Sequence, residues 1–397
     1  MSTKECMRKG KVPTSRECSA ILKWYGTSES VVAHSMVVAE VARIFAVYLN
    51  LMGGEIDTNL VLAAGRLHDM ARSMPHHAEA GAAFLNWLGY PEVASVVVSH
   101  MDIQESEAEI GERELIYLAD KCVDGERLIP LADRFRNAME KYAGEKKVRD
   151  AIEKRWQHAE KIKSRLESII GRSIESLLLS HERSIHTTFA QADKTIYLVR
   201  HGAIDANAGG KHFIGQLDLP LNQEGIRQAT VLRERLEGVA LRAVYCSDLQ
   251  RSIATARIIA EPHGLKLQSL SSLREIALGE WEGMSFAELK TNWPKAYEER
   301  GRNIINFRPP GGESFLECMH RVIPTWHDIL QAAPVGNVLV VGHKGVNRII
   351  LCTALGWSAN RLLEISQDYG CLNVIDVSDN KPWRTVTPFE TSRGSGF

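Results

Sequence analysis

The chain has 397 residues, 48 Lys and Arg against 49 Asp and Glu, a net charge of −1, and 44% apolar and 24% charged residues. The length allows two or three ordinary domains, and the composition is that of a globular protein. So even a balance excludes a strongly basic surface for nucleic acid or membrane as a bulk property, leaving only local basic pockets. The seven cysteines (Cys6, Cys18, Cys122, Cys246, Cys318, Cys352 and Cys371) are odd in number, scattered and without a C-x-x-C pair. That pattern suits reduced thiols better than a disulfide framework or a zinc ribbon. The basic start (Lys4, Arg8, Lys9, Lys11) runs into polar sequence instead of an apolar signal core. No apolar run reads as long enough to span a bilayer, so a cytoplasmic protein is expected.

Residues up to about 180 predict helices. Val37, Val38, Val41, Ile44, Phe45, Tyr48 and Leu49 recur at helical spacing. Further apolar segments follow at Leu60–Leu67, Ala82–Leu88, Val93–Val98 and Leu115–Ala119, punctuated by Gly53-Gly54, Pro75, Gly89-Tyr90-Pro91 and Gly111. Val148, Ile152, Trp156, Ala159, Ile162, Leu166 and Ile170 predict one long amphipathic helix. A polar, aperiodic stretch over 181–194 reads as a linker.

Beyond Thr195 short apolar runs (Ile196–Val199, Ala243–Tyr245, Val338–Val341) alternate with helical segments. Asn222 suits the N-cap of a helix over Gln223–Leu236, and Gly238 its end. Such alternation predicts an α/β sheet with helices on its faces, which binds ligands beyond the carboxyl ends of its strands.

The chemistry-bearing residues fall at those ends. Arg200-His201-Gly202 follows one predicted strand and Gly342-His343-Lys344-Gly345 another, so the two histidines should converge on one sheet edge. Arg251 falls in the first turn of a helix, where anions are favoured, and Glu275 supplies a carboxylate. Two arginines grip phosphate oxygens, a neutral imidazole attacks phosphorus, and a carboxylic acid protonates the leaving oxygen. Guanidinium and imidazolium charge makes a metal unnecessary.

These residues make about 195–390 resemble the histidine phosphatase superfamily, with its phosphoglycerate-mutase-like fold. The R-H-G motif falls on Arg200, His201 and Gly202, S-x-x-x-R on Ser247 and Arg251, the L-R-E acid on Glu275 and the late G-H on His343. The resemblance implies that His201 is phosphorylated, that Glu275 is the general acid, and that Arg200, Arg251 and His343 hold the phosphoryl group. Asn207, Gly215 and Gln216 match the remainder of the phosphate pocket. Ala203 and Ile204 depart from the usual polar pair after R-H-G, which should alter contacts near the nucleophile. Lys344 replaces a common small residue and is expected to read an extra anionic group. Without the long insertion of the mutases, phosphatase activity is expected, and L-R-E-x-x-x-G-x-W-E-G with G-H-K-G-V-N-R is most similar to the α-ribazole phosphatase branch.

In the first half, His34, His68-Asp69, His77, His100 and Asp120 form a ligand set for Fe, Mn, Zn, Ni or Co. His76 competes with His77 for the same place. An aspartate can bridge two ions, and two ions activate water for phosphoryl displacement. Residues 15–145 resemble the HD phosphohydrolase superfamily: His34, His68-Asp69 and Asp120 fit its H…HD…D pattern, and His77 and His100 the extra pair of dinuclear members. One such group hydrolyses diadenosine tetraphosphate. LHDMARSMPHHAEAGAAFL, SHMDI and IYLADKCVDGERL are similar to HD domains fused to molybdenum-cofactor nucleotidyltransferases, a fusion that a histidine phosphatase can accompany. No Gly-rich nucleotide loop precedes the HD region.

The expected architecture is an all-α HD domain over 15–180, a linker over 181–194, and a three-layer α/β histidine phosphatase domain over 195–390. The expected function is a phosphate-ester hydrolase with a metal-dependent first site and a metal-free second site. Its partner would be a small phosphorylated metabolite or nucleotide, with no nucleic acid and no membrane. Two alternatives remain: the HD domain gates the phosphatase as a ligand- or metal-binding regulator, or the second domain dephosphorylates phosphohistidine on a protein. His158, His181, His186, His212, His263, His320 and His327 fit neither pattern.

Overall fold

The computed structural model describes residues 12–103, 109–186, 194–205, 212–378 and 381–389, the last stretch and residues 186 and 378 by backbone alone. The chain divides into two units, residues 1–188 and 189–397.

The first unit is helical: α1 (Ser15–Tyr25), α2 (Glu29–Leu51), α3 (Thr58–Leu67), α4 (His77–Trp87), α5 (Pro91–Val97), α6 (Glu112–Lys121), a small antiparallel ribbon of β1 (Val123–Asp124) and β2 (Arg127–Leu128), α7 (Leu131–Lys141), α8 (Lys146–Ile170), α9 (Ile174–Ser180) and α10 (Glu182–His186). α1 begins with a reciprocal cap between Thr14 and Glu17. It ends at Gly26, whose φ of 77° is left-handed.

α2 corrects one expectation. Over its 23 residues it is long and apolar enough to cross a membrane, with a mean hydropathy of 1.6 in its most apolar window. The physical reason is packing: 67% of that window is buried inside the unit, and the helix also carries a buried Glu40–Arg43 ion pair at 2.5 Å. Its polar positions are too sparse for an amphipathic stripe because neighbouring helices cover most of its circumference. α3 lies so close that a Cβ on Gly65 would stand 2.5 Å from the Cα of Ala39, which only glycine tolerates.

The stretch read as a linker is partly structured. Residues 182–186 form α10, which packs on α2, and His181 lies 3.3 Å from the Tyr48 hydroxyl. Short polar helices carry too little periodicity to be seen in sequence.

The second unit holds β3 (Lys194–Arg200), α11 (Gln223–Leu236), β4 (Leu241–Cys246), α12 (Gln250–Ala260), β5 (Leu267–Ser269), α13 (Phe286–Asn292), α14 (Pro294–Arg302), α15 (Phe315–Ala332), β6 (Gly336–Gly342), α16 (Lys344–Leu355), β7 (Leu372–Ser378) and β8 (Lys381–Phe389). The six strands run in the order β5-β4-β6-β3-β7-β8. β5, β4, β6 and β3 are parallel, and β7 and β8 add an antiparallel edge. Val199, Val244, Leu339 and Val341 meet Leu232 and Leu236 of α11 and Ala256 and Ile259 of α12 in one core. Ile196, Leu198, Val338 and Val340 alternate with them and are also fully buried. Strands covered on both faces read as unbroken apolar runs.

Asn222 caps α11 as expected, accepting from the Gly225 amide at 2.8 Å. Gly238 does not end it in the left-handed form; the helix stops at Glu237 in ordinary right-handed geometry. α13 and α14 lie beside a second, smaller core of Phe213, Leu278, Trp281 and Leu289.

Candidate active site and candidate metal centre

β3 and β6 are parallel neighbours with Arg200 paired to Gly342. His201 and His343 therefore leave adjacent strand ends, and their rings lie 5.0 Å apart. The His201 Nδ1 donates to the Gly202 carbonyl at 2.8 Å. That bond turns Nε2 outward with its lone pair, where Arg251 Nε stands 3.3 Å away. His201 is 3% exposed. Burial, then the Arg200 and Arg251 charges, hold its pKa well below the ordinary histidine value. His343 is held well below for the same reasons, burial first and then His201, Arg251 and Arg200. Both imidazoles are thus neutral at pH 7.

Arg251 sits in the first turn of α12, its terminal nitrogens donating to the carbonyls of Gly215 (2.6 Å) and Leu217 (2.7 Å). Arg200 stacks on Tyr369 at 3.8 Å and donates to the Gln367 carbonyl at 2.7 Å. Four buried side-chain atoms around this point have no partner: Arg200 Nε, Asn347 Oδ1 and both ring nitrogens of His343. Buried polar atoms are normally satisfied, so this concentration marks a place for a ligand.

Glu275 lies at the start of α16, next to His343. Its carboxylate accepts from the amides of Gly345 (3.1 and 3.0 Å) and Val346 (3.3 Å). Arg321 holds the Glu275 loop by donating to the carbonyls of Ser272, Arg274 and Glu275, while pairing with Glu313.

The Gln216 side chain donates to the Glu275 carbonyl at 3.1 Å, and the amides of Gly215 and Gln216 both donate to Glu282, at 3.0 and 2.7 Å. Leu217 and Leu278 donate to the same carboxylate at 3.2 and 3.3 Å. The loop is wrapped around Glu282, and its carbonyls face Arg251. Lys344 is exposed on the first turn of α16. Ala203 and Ile204 are buried, 8% and 7% exposed, and Ala203 is locked to α11 through Gln228 (2.9 Å). Asn207 lies outside the described residues. Sequence reading missed Glu282, Arg321, Tyr369 and Gln367; only the G-x-W-E-G glutamate carried a signal. Replacing a carboxylate that gathers backbone amides weakens those bonds by about 1–3 kcal/mol each. Glu282→Gln is expected to raise KM for a phosphate ester and Ki for orthophosphate together, about tenfold, as Arg251 loosens. Unchanged orthophosphate inhibition would contradict this role.

In the first unit, His34 projects from α2 and Asp120 from α6. His68-Asp69 was expected on a helix; α3 instead ends at Leu67 and the pair occupies the tight turns that follow. His77 is the first residue of α4, and His100 follows α5 in a turn. His76 is exposed at a φ of 50°, and it is His77 that lies in a group with Asp69 and His100.

Backbone carbonyls fix the rings. Nδ1 of His34 donates to Gly125, of His68 to Gly65 and of His100 to Val97, at 2.8, 2.8 and 2.7 Å. Their Nε2 atoms are thereby turned toward Asp69 and Asp120, the arrangement that an outer-shell bond gives a metal-binding histidine. Asp69 Oδ1 lies 3.1 Å from His77 Nε2 and 3.3 Å from His100 Nε2, and Asp69 Oδ2 lies 3.8 Å from His68 Nε2. Asp120 Oδ1 is 3.2 Å from His34 Nε2 and 3.6 Å from His68 Nε2, its other oxygen held by Lys121 at 2.9 Å. The ligand atoms of His34, His68 and Asp69, and those of Asp69, His77 and His100, form two groups, each within 4.8 Å. Asp69 belongs to both. His68 Nε2 is buried without a hydrogen-bond partner, which suits a metal ligand.

Comparison with known proteins adds to this geometry. The family model for the histidine phosphatase superfamily (branch 1) matches residues 196–389, and the HD domain model matches residues 31–138. The adenosylcobalamin/alpha-ribazole phosphatase of Escherichia coli (strain K12) is 30% identical over 183 residues, 46% of this chain and 90% of that protein. The 6-phosphofructo-2-kinase/fructose-2,6-bisphosphatase 1 of Rattus norvegicus is 29% identical over 191 residues, 48% of this chain and 38% of that protein. The crystal structure of the alpha-ribazole phosphatase from Shigella flexneri is 28% identical, with a TM-score of 0.44 over 48% of this chain and 95% of that one.

Proposed function

The chain belongs to the histidine phosphatase superfamily through residues 196–389 and carries an HD domain over residues 31–138, and from that footing we propose that its second unit cleaves phosphate monoesters through a phosphohistidine on His201. The chain is a phosphatase. The observation that carries the residue-level reading is the neutral, buried pair His201 and His343 between Arg200 and Arg251. The His201 Nε2 attacks phosphorus while the ester P–O bond breaks, and the oxygen leaves with a proton from Glu275. Arg200, Arg251 and His343 take the charge of the three remaining oxygens. Water then attacks the phosphorus, Glu275 takes its proton, the P–N bond breaks, and His201 returns to neutral. Glu282 and Arg321 act through Arg251 and Glu275 as positioning residues.

In the first unit His34, His68, Asp69, His77, His100 and Asp120 would hold two transition-metal ions sharing Asp69, and such ions supply an activated water and charge stabilisation for phosphoryl transfer. Lys121 keeps one Asp120 oxygen engaged so that the other faces His34 and His68. The substrate class is a small phosphorylated metabolite; α-ribazole phosphate, a nucleotide and a molybdenum-cofactor-related phosphate are the candidates to try.

Phosphate release over a panel of sugar phosphates, nucleotides, α-ribazole phosphate and an aryl phosphate, with and without chelator, tests both halves. A chelator-resistant activity on monoesters and a second, chelator-sensitive activity are expected. No turnover under either condition would overturn the reading.

A further inference from the structure

We propose that Tyr369 is a positioning residue of the second unit: its ring is the surface that sets the plane of the Arg200 guanidinium before a phosphoryl group arrives. The proposal rests on the His201 reading above and gives a role to a side chain which that reading leaves without one.

The segment Asp368-Tyr369-Gly370-Cys371 forms a β-turn, closed by the Cys371 amide on the Asp368 carbonyl at 3.1 Å. Its third residue, Gly370, is left-handed at a φ of 67°, where a type II turn calls for glycine. β7 follows at once and pairs antiparallel with β3, Leu372 opposite Val199. The turn therefore continues that pairing past the end of β3. Arg200 donates its amide to the Cys371 carbonyl, and Gly370 donates its amide to the His201 carbonyl, both at 3.1 Å. This register delivers Tyr369 to the arginine and the histidine of the Arg200-His201-Gly202 motif. The Arg200 guanidinium lies over its ring at 3.8 Å, and the His201 ring is 5.5 Å away, tilted by 54°.

Buried amides hold the turn from its other end. Gln367, 1% exposed, accepts from Asn347 Nδ2 at 3.2 Å. It donates to the Ser366 carbonyl at 2.8 Å and to Asn373 Oδ1 at 3.2 Å. Asn373 donates in turn to the Leu198 carbonyl of β3 at 3.3 Å. The main-chain carbonyl of Gln367 accepts from Arg200 Nη1 at 2.7 Å. One such bond leaves a guanidinium free to pivot about it. A ring face at 3.8 Å removes that freedom, because the planar, delocalised cation stacks on aromatic rings. Arg200 Nε is buried and without a partner, so holding the plane keeps this donor in one direction. A donor fixed in advance costs no reorganisation when charge develops beside it. The Tyr369 hydroxyl makes no hydrogen bond among the described residues, so the ring is the part that acts.

The test uses the full chain, with p-nitrophenyl phosphate as substrate and orthophosphate as inhibitor. Tyr369→Leu keeps apolar bulk without an aromatic face. It is expected to raise KM and the orthophosphate Ki together by about tenfold, equivalent to about 1.4 kcal/mol, with a smaller fall in kcat. Tyr369→Phe, which keeps the ring, should recover most of that loss. Arg200→Lys replaces the plane with a compact ammonium, so in that background Tyr369→Leu should change Ki by no more than about twofold. If the leucine variant fails to fold, Tyr369→Met takes its place. KM and Ki unchanged in the leucine variant, or the same tenfold loss in the Arg200→Lys background, overturns the role of Tyr369 alone. Failure of the native enzyme to hydrolyse p-nitrophenyl phosphate overturns the underlying His201 reading, and this proposal with it.

Discussion

His201→Ala is expected to lower chelator-resistant phosphate release by on the order of 10⁴-fold or more, because a covalent route has no substitute for its nucleophile. The native enzyme, quenched during turnover, should carry an acid-labile phosphoryl group that the variant lacks. The pH profile gives an independent check. A free histidine has a pKa of about 6.5, and an enzyme relying on it would lose its nucleophile as pH fell through that value. His201 is held well below by burial, Arg200 and Arg251, so protonation is delayed, and kcat at saturating substrate, which is free of the unbound ester's own ionisation at about 6, should stay level as pH falls through 6.5. The acid limb should appear lower. Residual activity in His201→Ala within tenfold of the native rate, or an acid limb centred at 6.5, would remove His201 from the role.

Asp69→Asn is expected to empty both metal positions of the first unit, whereas His77→Ala should empty one. Asp69 is common to both ligand groups, while His77 belongs to one. Its carboxylate faces His77 and His100 through one oxygen and His68 through the other. Against the cost of burial, the His100 bond, then the His68 and Arg72 charges, hold it ionised, and an amide supplies neither that charge nor a second anionic oxygen. Metal per chain, measured by elemental analysis after loading and desalting, should fall to near zero in the first variant and by half in the second. Two ions retained in Asp69→Asn, or equal losses in both, would contradict the shared-ligand geometry.

The placement of the candidate site residues was legible because they follow strands. An apolar run ending in Arg200-His201-Gly202, and another ending in Gly342-His343, place two imidazoles at strand termini whatever the details of the sheet. The adjacency of those strands, with β4 displaced to the far side of β6, was not legible, since pairing depends on contacts distant in sequence. Gly215 and Gln216 were placed in the phosphate pocket by resemblance, and the bonds of their amides to Glu282 were not legible. α2 was underestimated because apolar spacing marks a helix without revealing how completely its neighbours will enclose it.

The sequence by itself determined the kinds of chemistry present: imidazoles, guanidiniums and carboxylates at strand ends, a His-Asp pair within a histidine-rich first half, and the cap that starts α11. The α11 cap and these residue types follow from local rules of periodicity, turn chemistry and side-chain type, whereas the α1 cap was seen only in the structure. Only the tertiary structure decided which oxygen meets which nitrogen. It brought His77 and not His76 into the group with Asp69 and His100, and made Asp69 common to two groups. Such choices rest on distances of a few ångströms between residues tens of positions apart, and packing of the whole unit sets those distances.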